Sequence, residues 1–93
     1  MGSADEVLVA MVEVAADRLG AYGYVLTGSQ SEAEELVQDA IVRVFARRTR
    51  FEVPAQAEQY VRRTMRTMHI DRMRREALWR RVMPGQAREE SRA

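Results

Sequence analysis

Six arginines crowd one short stretch of the chain: Arg62, Arg63, Arg66, Arg72, Arg74 and Arg75. Between Tyr60 and Arg75 the only acid is Asp71, so pairing along a helix cannot neutralise them. A guanidinium forks onto phosphate oxygens and stacks on bases, so the run points to a polyanionic ligand. A solvated helix face is the plainer reading of such a charge run. Inside it lies Thr67-Met68-His69-Ile70-Asp71, which holds the chain's single histidine. These side chains could hydrogen-bond a ligand, although Asp71 also suits a helix cap and His69 a helix start. Elsewhere little could do chemistry. With one His, no Cys and no Glu-x-x-His pair, there is no nucleophile or metal constellation. Glu34, Glu35 and Asp39 are the only acids worth considering as ligands, and helix capping explains them. We therefore expect a protein that is not an enzyme and takes no metal or cofactor.

The net charge of +1 conceals a strong segregation. Residues 1–42 hold eight acids and one base, a charge of −7; residues 43–82 hold twelve arginines and four acids, a charge of +8. Two kinds of partner are implied, a polyanion for the basic half and something else for the acidic half. Every base is arginine, which a GC-rich coding bias explains in good part, but that bias does not produce the segregation. Apolar residues at 46% are too many for a disordered chain, so a folded core is expected. The lack of cysteine excludes disulfides and fits a reducing compartment. No run approaches the roughly 20 apolar residues of a membrane span. Asp5 and Glu6 stand where a signal peptide would be basic.

Hydrophobic spacing supplies the elements that must position these groups. Leu8, Val12, Ala15, Leu19, Tyr22 and Leu26 mark an amphipathic helix. Gly20 and Gly23 weaken it and invite a close neighbour, and Gly28 is a left-handed cap. Ser31 with Glu34 reads as a capping box for a second helix, with Glu32, Glu34 and Glu35 in its first turn and Arg47 and Arg48 in its last. Its buried stripe is expected at Ala33, Leu36/Val37, Ala40/Ile41 and Val44/Phe45. Arg50-Phe51-Glu52-Val53 is a connector, and Pro54 opens a third helix with Ala57, Tyr60/Val61, Thr64/Met65 and Met68 inward. A separate pattern, Ile70, Met73 and Ala77, continues with Trp79 and Val82 until Pro84-Gly85. Trp79 is expected in a core or an interface. The fold class is all-α, a compact bundle of three to four helices over residues 1–83, with 84–93 the start of a flexible linker.

Two segments carry a family resemblance. Leu26-Thr27-Gly28, followed by Ala33-Glu34-Glu35-Leu36-Val37-Gln38-Asp39-Ala40, closely resembles the signature of extracytoplasmic-function sigma factors. Tyr60-Val61-Arg62-Arg63-Thr64, through Asp71 to Arg74-Arg75, resembles a second segment of that family at the same spacing. Together they span roughly Leu19 to Arg81 and correspond to the family's region 2. The resemblance implies that Leu36, Gln38, Asp39, Val42, Arg43 and Arg47 dock on the clamp helices of the largest subunit of core RNA polymerase. It implies that Arg62, Arg63, Arg66, Thr67, Met68, His69, Asp71, Arg72, Arg74 and Arg75 hold the promoter −10 element as melted, single-stranded non-template DNA. The family often has Asn where this chain has Thr67, so the preferred base does not carry over. We expect the 67–71 stretch to be a junction between two helices and to form the pocket for an extruded base.

Further expectations follow from the resemblance: a cytoplasmic location without membrane insertion, an anti-sigma factor as a possible partner, and a C-terminal helix-turn-helix domain absent from this chain. One alternative is a small helix-turn-helix regulator reading duplex DNA. Another is an adaptor bundle that binds no DNA.

Overall fold

The computed structural model describes residues 3–83. Three helices carry it: α1 (Ser3–Thr27), α2 (Gln30–Ala46) and α3 (Pro54–Val82). Each packs on the other two. Leu8, Met11, Ala15 and Leu19 from α1 meet Leu36, Ala40 and Val44 from α2, and Ala57, Val61, Met65 and Met68 from α3. The side chains predicted inward on α1 are buried or half-buried, but Met11, outside that spacing, is wholly buried too.

The α1–α2 corner is built from local chemistry. Gly28 adopts φ 74°, and its N–H donates to the Tyr24 carbonyl at 2.7 Å. This closes α1 in the left-handed manner open to glycine. The turn leaves Ser29 extended (φ −136°, ψ 131°), and its hydroxyl accepts from the Glu32 N–H at 3.3 Å. The cap of α2 is therefore Ser29, not Ser31. The left-handed turn at Gly28 makes the following residue the first able to cap, so Ser31 is already helical and only Glu32 lies in the first acidic turn. At the other end α2 stops at Ala46, with Arg47 as C-cap and Arg43 as the basic residue of the last turn. Arg48 lies beyond, at φ 53°.

Gly23 sits where α1 and α2 cross. A Cβ there would lie 3.1 Å from both the Ala33 Cβ and the Ala33 carbonyl oxygen. Gly20 has open space instead, so only one of the two glycines serves the close packing.

The 67–71 stretch is not a junction. α3 runs unbroken for 29 residues. Ala57, Val61, Met65 and Met68 lead on through Arg72, Arg75, Trp79 and Val82 at steps of three and four, a single helical stripe. Ile70, Met73 and Ala77 run down the opposite side. What reads as a second helix is a change of face on one helix, and no Gly or Pro between 55 and 82 interrupts it. From Met73 to Val82 every side chain is exposed, Trp79 included, so this last stretch extends past the core.

The connector carries one large apolar group inward. Phe51 is buried and meets the Tyr60 ring edge-on at 5.5 Å. Phe45, expected inward beside Val44, is instead 45% exposed. Residues 84–93, read as a linker, lie outside the described residues.

Candidate functional site

α2 turns Ala33, Leu36, Ala40 and Val44 inward. The 3.6-residue period then leaves Gln38, Val42 and Phe45 on its far side. Val42 is 67% exposed, and with Phe45 it forms an apolar step flanked by Gln38. Asp39, Arg43 and Arg47 lie on the flank facing α3. There they border an open groove whose floor includes Met68 and whose opposite wall holds Asp71, Arg72 and Arg75. Across it the Arg72 Nη2 donates to the Asp39 Oδ2 at 2.6 Å. Asp39 thus pairs across helices rather than with Arg43 one turn along α2.

The six arginines between Arg62 and Arg75 fall into two groups. Arg62 and Arg72 are half-buried and committed. Arg62 lies over the Tyr22 ring, 4.6 Å from its centroid, and 3.7 Å from Glu58. Arg63, Arg66, Arg74 and Arg75 are exposed, and among the described residues none has a carboxylate within 4 Å. Arg63, Arg66 and Arg74, one to two turns apart, share the side of α3 away from the core, where no described carboxylate neutralises them.

Thr67 is exposed and lies about one turn from Arg63 and two from Arg74 on that helix. His69 is two residues on, so roughly 160° around the axis from Thr67. It sits half-buried in a separate cleft bordered by Leu26, Glu32 and Glu35. Thr67 and His69 therefore cannot hold the same base. Met68 is 8% exposed and belongs to the core, as does Leu36, which is wholly buried. Leu36 thus offers no surface to a partner, and Met68 is reached only at the floor of the groove. Gln38, Asp39, Val42, Arg43 and Arg47 are all accessible to some degree.

The connector lies beside Tyr60 on α3. The Tyr60 hydroxyl is held below its ordinary pKa, first by a hydrogen bond from Arg47, then by Thr49. Tyr60, Thr64, Thr67 and Asp71 follow one another along α3 at steps of four, three and four. Residues 47–53 are the longest non-helical stretch among the described residues, and they meet this line at Tyr60. Only the tertiary fold brings the connector there.

Among the described residues no group of three or more His, Asp or Glu side chains could hold a metal ion. No described helix is long and apolar enough to cross a membrane.

Comparison with known families bears on this arrangement directly. The model of sigma-70 region 2 matches residues 11–78, and the chain belongs to that family. Its role is accordingly that of a sigma factor domain in transcription initiation, a non-enzymatic family that works with core RNA polymerase and promoter DNA. Neither a comparison with curated proteins nor one with solved structures found a match.

Proposed function

We propose that this domain is region 2 of an extracytoplasmic-function sigma factor, acting in the cytoplasm. The outer face of α2, Gln38, Asp39, Val42 and Arg43 with Arg47 at its end, docks on the clamp helices of the largest polymerase subunit. Phe45 extends that face. The exposed side of α3 holds the melted non-template strand of the −10 element. The observation that carries the reading is the set of unneutralised guanidiniums Arg63, Arg66 and Arg74 on one continuous side of a helix. That is what a phosphate backbone requires, and such contacts position a strand without reading it.

Base selection falls to the margin of that side. Thr67 offers a hydroxyl on that exposed side. A single strand can splay a base onto such a group; stacked duplex bases cannot. An anti-sigma factor would cover the docking face. The test is direct: the domain should retain core polymerase in a pull-down and bind a −10 non-template oligonucleotide more tightly than its duplex. A duplex preference without polymerase binding would support a helix-turn-helix regulator instead.

A further inference from the structure

The Asp39–Arg72 contact joins a residue of the docking face to a residue of the arginine-rich helix. The distance of 2.6 Å is that of a charge-assisted hydrogen bond. Both side chains remain reachable from solvent, Asp39 46% and Arg72 31% exposed. It is the only ion pair between α2 and α3 among the described residues. The guanidiniums of Arg43 and Arg75 border the same groove, neither with a carboxylate within 4 Å among the described residues. Among the described residues Asp71, on the same wall, is likewise unpaired. Of the two carboxylates in the groove, only Asp39 therefore engages an arginine.

A carboxylate and a phosphate present the same face to a guanidinium, two anionic oxygens that accept its N–H groups. We infer that Asp39 occupies a phosphate seat: Arg72, with Arg43 and Arg75 alongside, forms a binding position for a backbone phosphate of single-stranded nucleic acid, and the Asp39 carboxylate fills it in the unbound domain. Asp39 is thus an internal competitor that lowers the domain's affinity for any strand. Packing alone does not call for the pair. A half-exposed ion pair contributes little to stability, and the buried Met68 already closes the groove floor.

This inference rests on the proposed strand binding by α3, and a double-mutant cycle separates the two. The full 93-residue chain is titrated with a fluorescent single-stranded oligonucleotide over a range of salt, as wild type, Asp39→Asn, Arg72→Gln and the double variant. Circular-dichroism melts establish that each variant folds. Asp39→Asn should tighten binding about two- to fivefold, the range of an exposed pair's strength. It should also steepen the salt dependence by about 0.7, one phosphate contact on a single strand. Arg72→Gln alone should change little, because Arg72 is already occupied, yet in that background the gain from Asp39→Asn should vanish. An equal gain in both backgrounds would mean that Asp39 acts only as a general negative charge and would overturn the inference, as would no gain in either. If the wild type and all variants fail to bind even at low salt, strand binding by α3 itself fails, and the inference with it.

Discussion

Glu58 on α3 accepts two hydrogen bonds from the Arg18 guanidinium on α1, from Nη2 at 2.8 Å and from Nε at 3.1 Å. Forty residues separate the two in sequence, and Arg18 is the one base in the acidic half of the chain. Arg62 approaches the same carboxylate and also covers Tyr22, so the α1–α3 seam is held by one acid shared between two arginines. The hydrogen bond from Arg18 holds the Glu58 carboxyl below its ordinary range.

That lowered value makes stability depend on pH. The folded state favours the ionised carboxylate, so the contribution is fully present above the unfolded value, about 4.3 for Glu. It is lost as pH falls through the lower folded value. Thermal melts across the acid range should show wild type losing more stability than Glu58→Gln between neutral and acidic pH, with the two curves converging in acid. Parallel curves would show that the seam does not depend on the charge.

The two glycines of α1 should respond in opposite ways. Gly20→Ala meets nothing within 4 Å and should stabilise by up to about 1 kcal/mol through helix propensity. Gly23→Leu drives a side chain into Ala33 and should destabilise by about 1–3 kcal/mol. Urea midpoints of the two variants decide it, and a shift of the same sign in both would contradict the close crossing of α1 and α2.

Docking is best tested at Val42. Val42→Asp changes an exposed residue and should leave stability within about 1 kcal/mol while polymerase pull-down falls sharply. Asp39→Arg should lose polymerase as well, but it also sets a second guanidinium against Arg72, so some loss of stability accompanies it. Retention of polymerase by a folded Val42→Asp variant would remove α2 from the docking surface.

On α3, phosphate holding and base reading should separate. Arg63→Ala or Arg74→Ala should weaken binding of all oligonucleotides alike and flatten the salt dependence. Thr67→Ala should alter the ranking of bases at one −10 position, by ~1–3 kcal/mol if mismatch costs in DNA sites are a guide. His69→Ala should leave that ranking unchanged, because His69 lies on another side of the helix. A panel of oligonucleotides varied at each −10 position reads all of these. A ranking altered by His69→Ala and untouched by Thr67→Ala would move the reader to the cleft beside Leu26.

Helices, their order and most of the core were legible from the residues alone. The period of Leu8, Ala15 and Leu19, the turn at Gly28 and Pro54 at the start of α3 are local signals, and local signals survive whatever surrounds them. The segregation of charge and the arginine run are equally local, and they pointed to the same helix that the structure exposes. Long-range facts were not available in the sequence. Ile70, Met73 and Ala77 have helical spacing whether they begin a new helix or lie on the far side of an old one. Only the continuous packing of Met65, Met68 and Arg72 against α1 and α2 decides between the two. Phe45 and Phe51 are both aromatic residues near the end of α2, and nothing in their neighbours says which turns inward. The direction of the connector settles that, by placing Phe51 against Tyr60. The same limit applies to Asp39. Its sequence neighbour of opposite charge is Arg43, one turn away, but its partner is Arg72, which the crossing of α2 and α3 brings to hydrogen-bonding distance. Short-range order is written in spacing and residue type, whereas the pairing of distant charges depends on where whole helices come to rest.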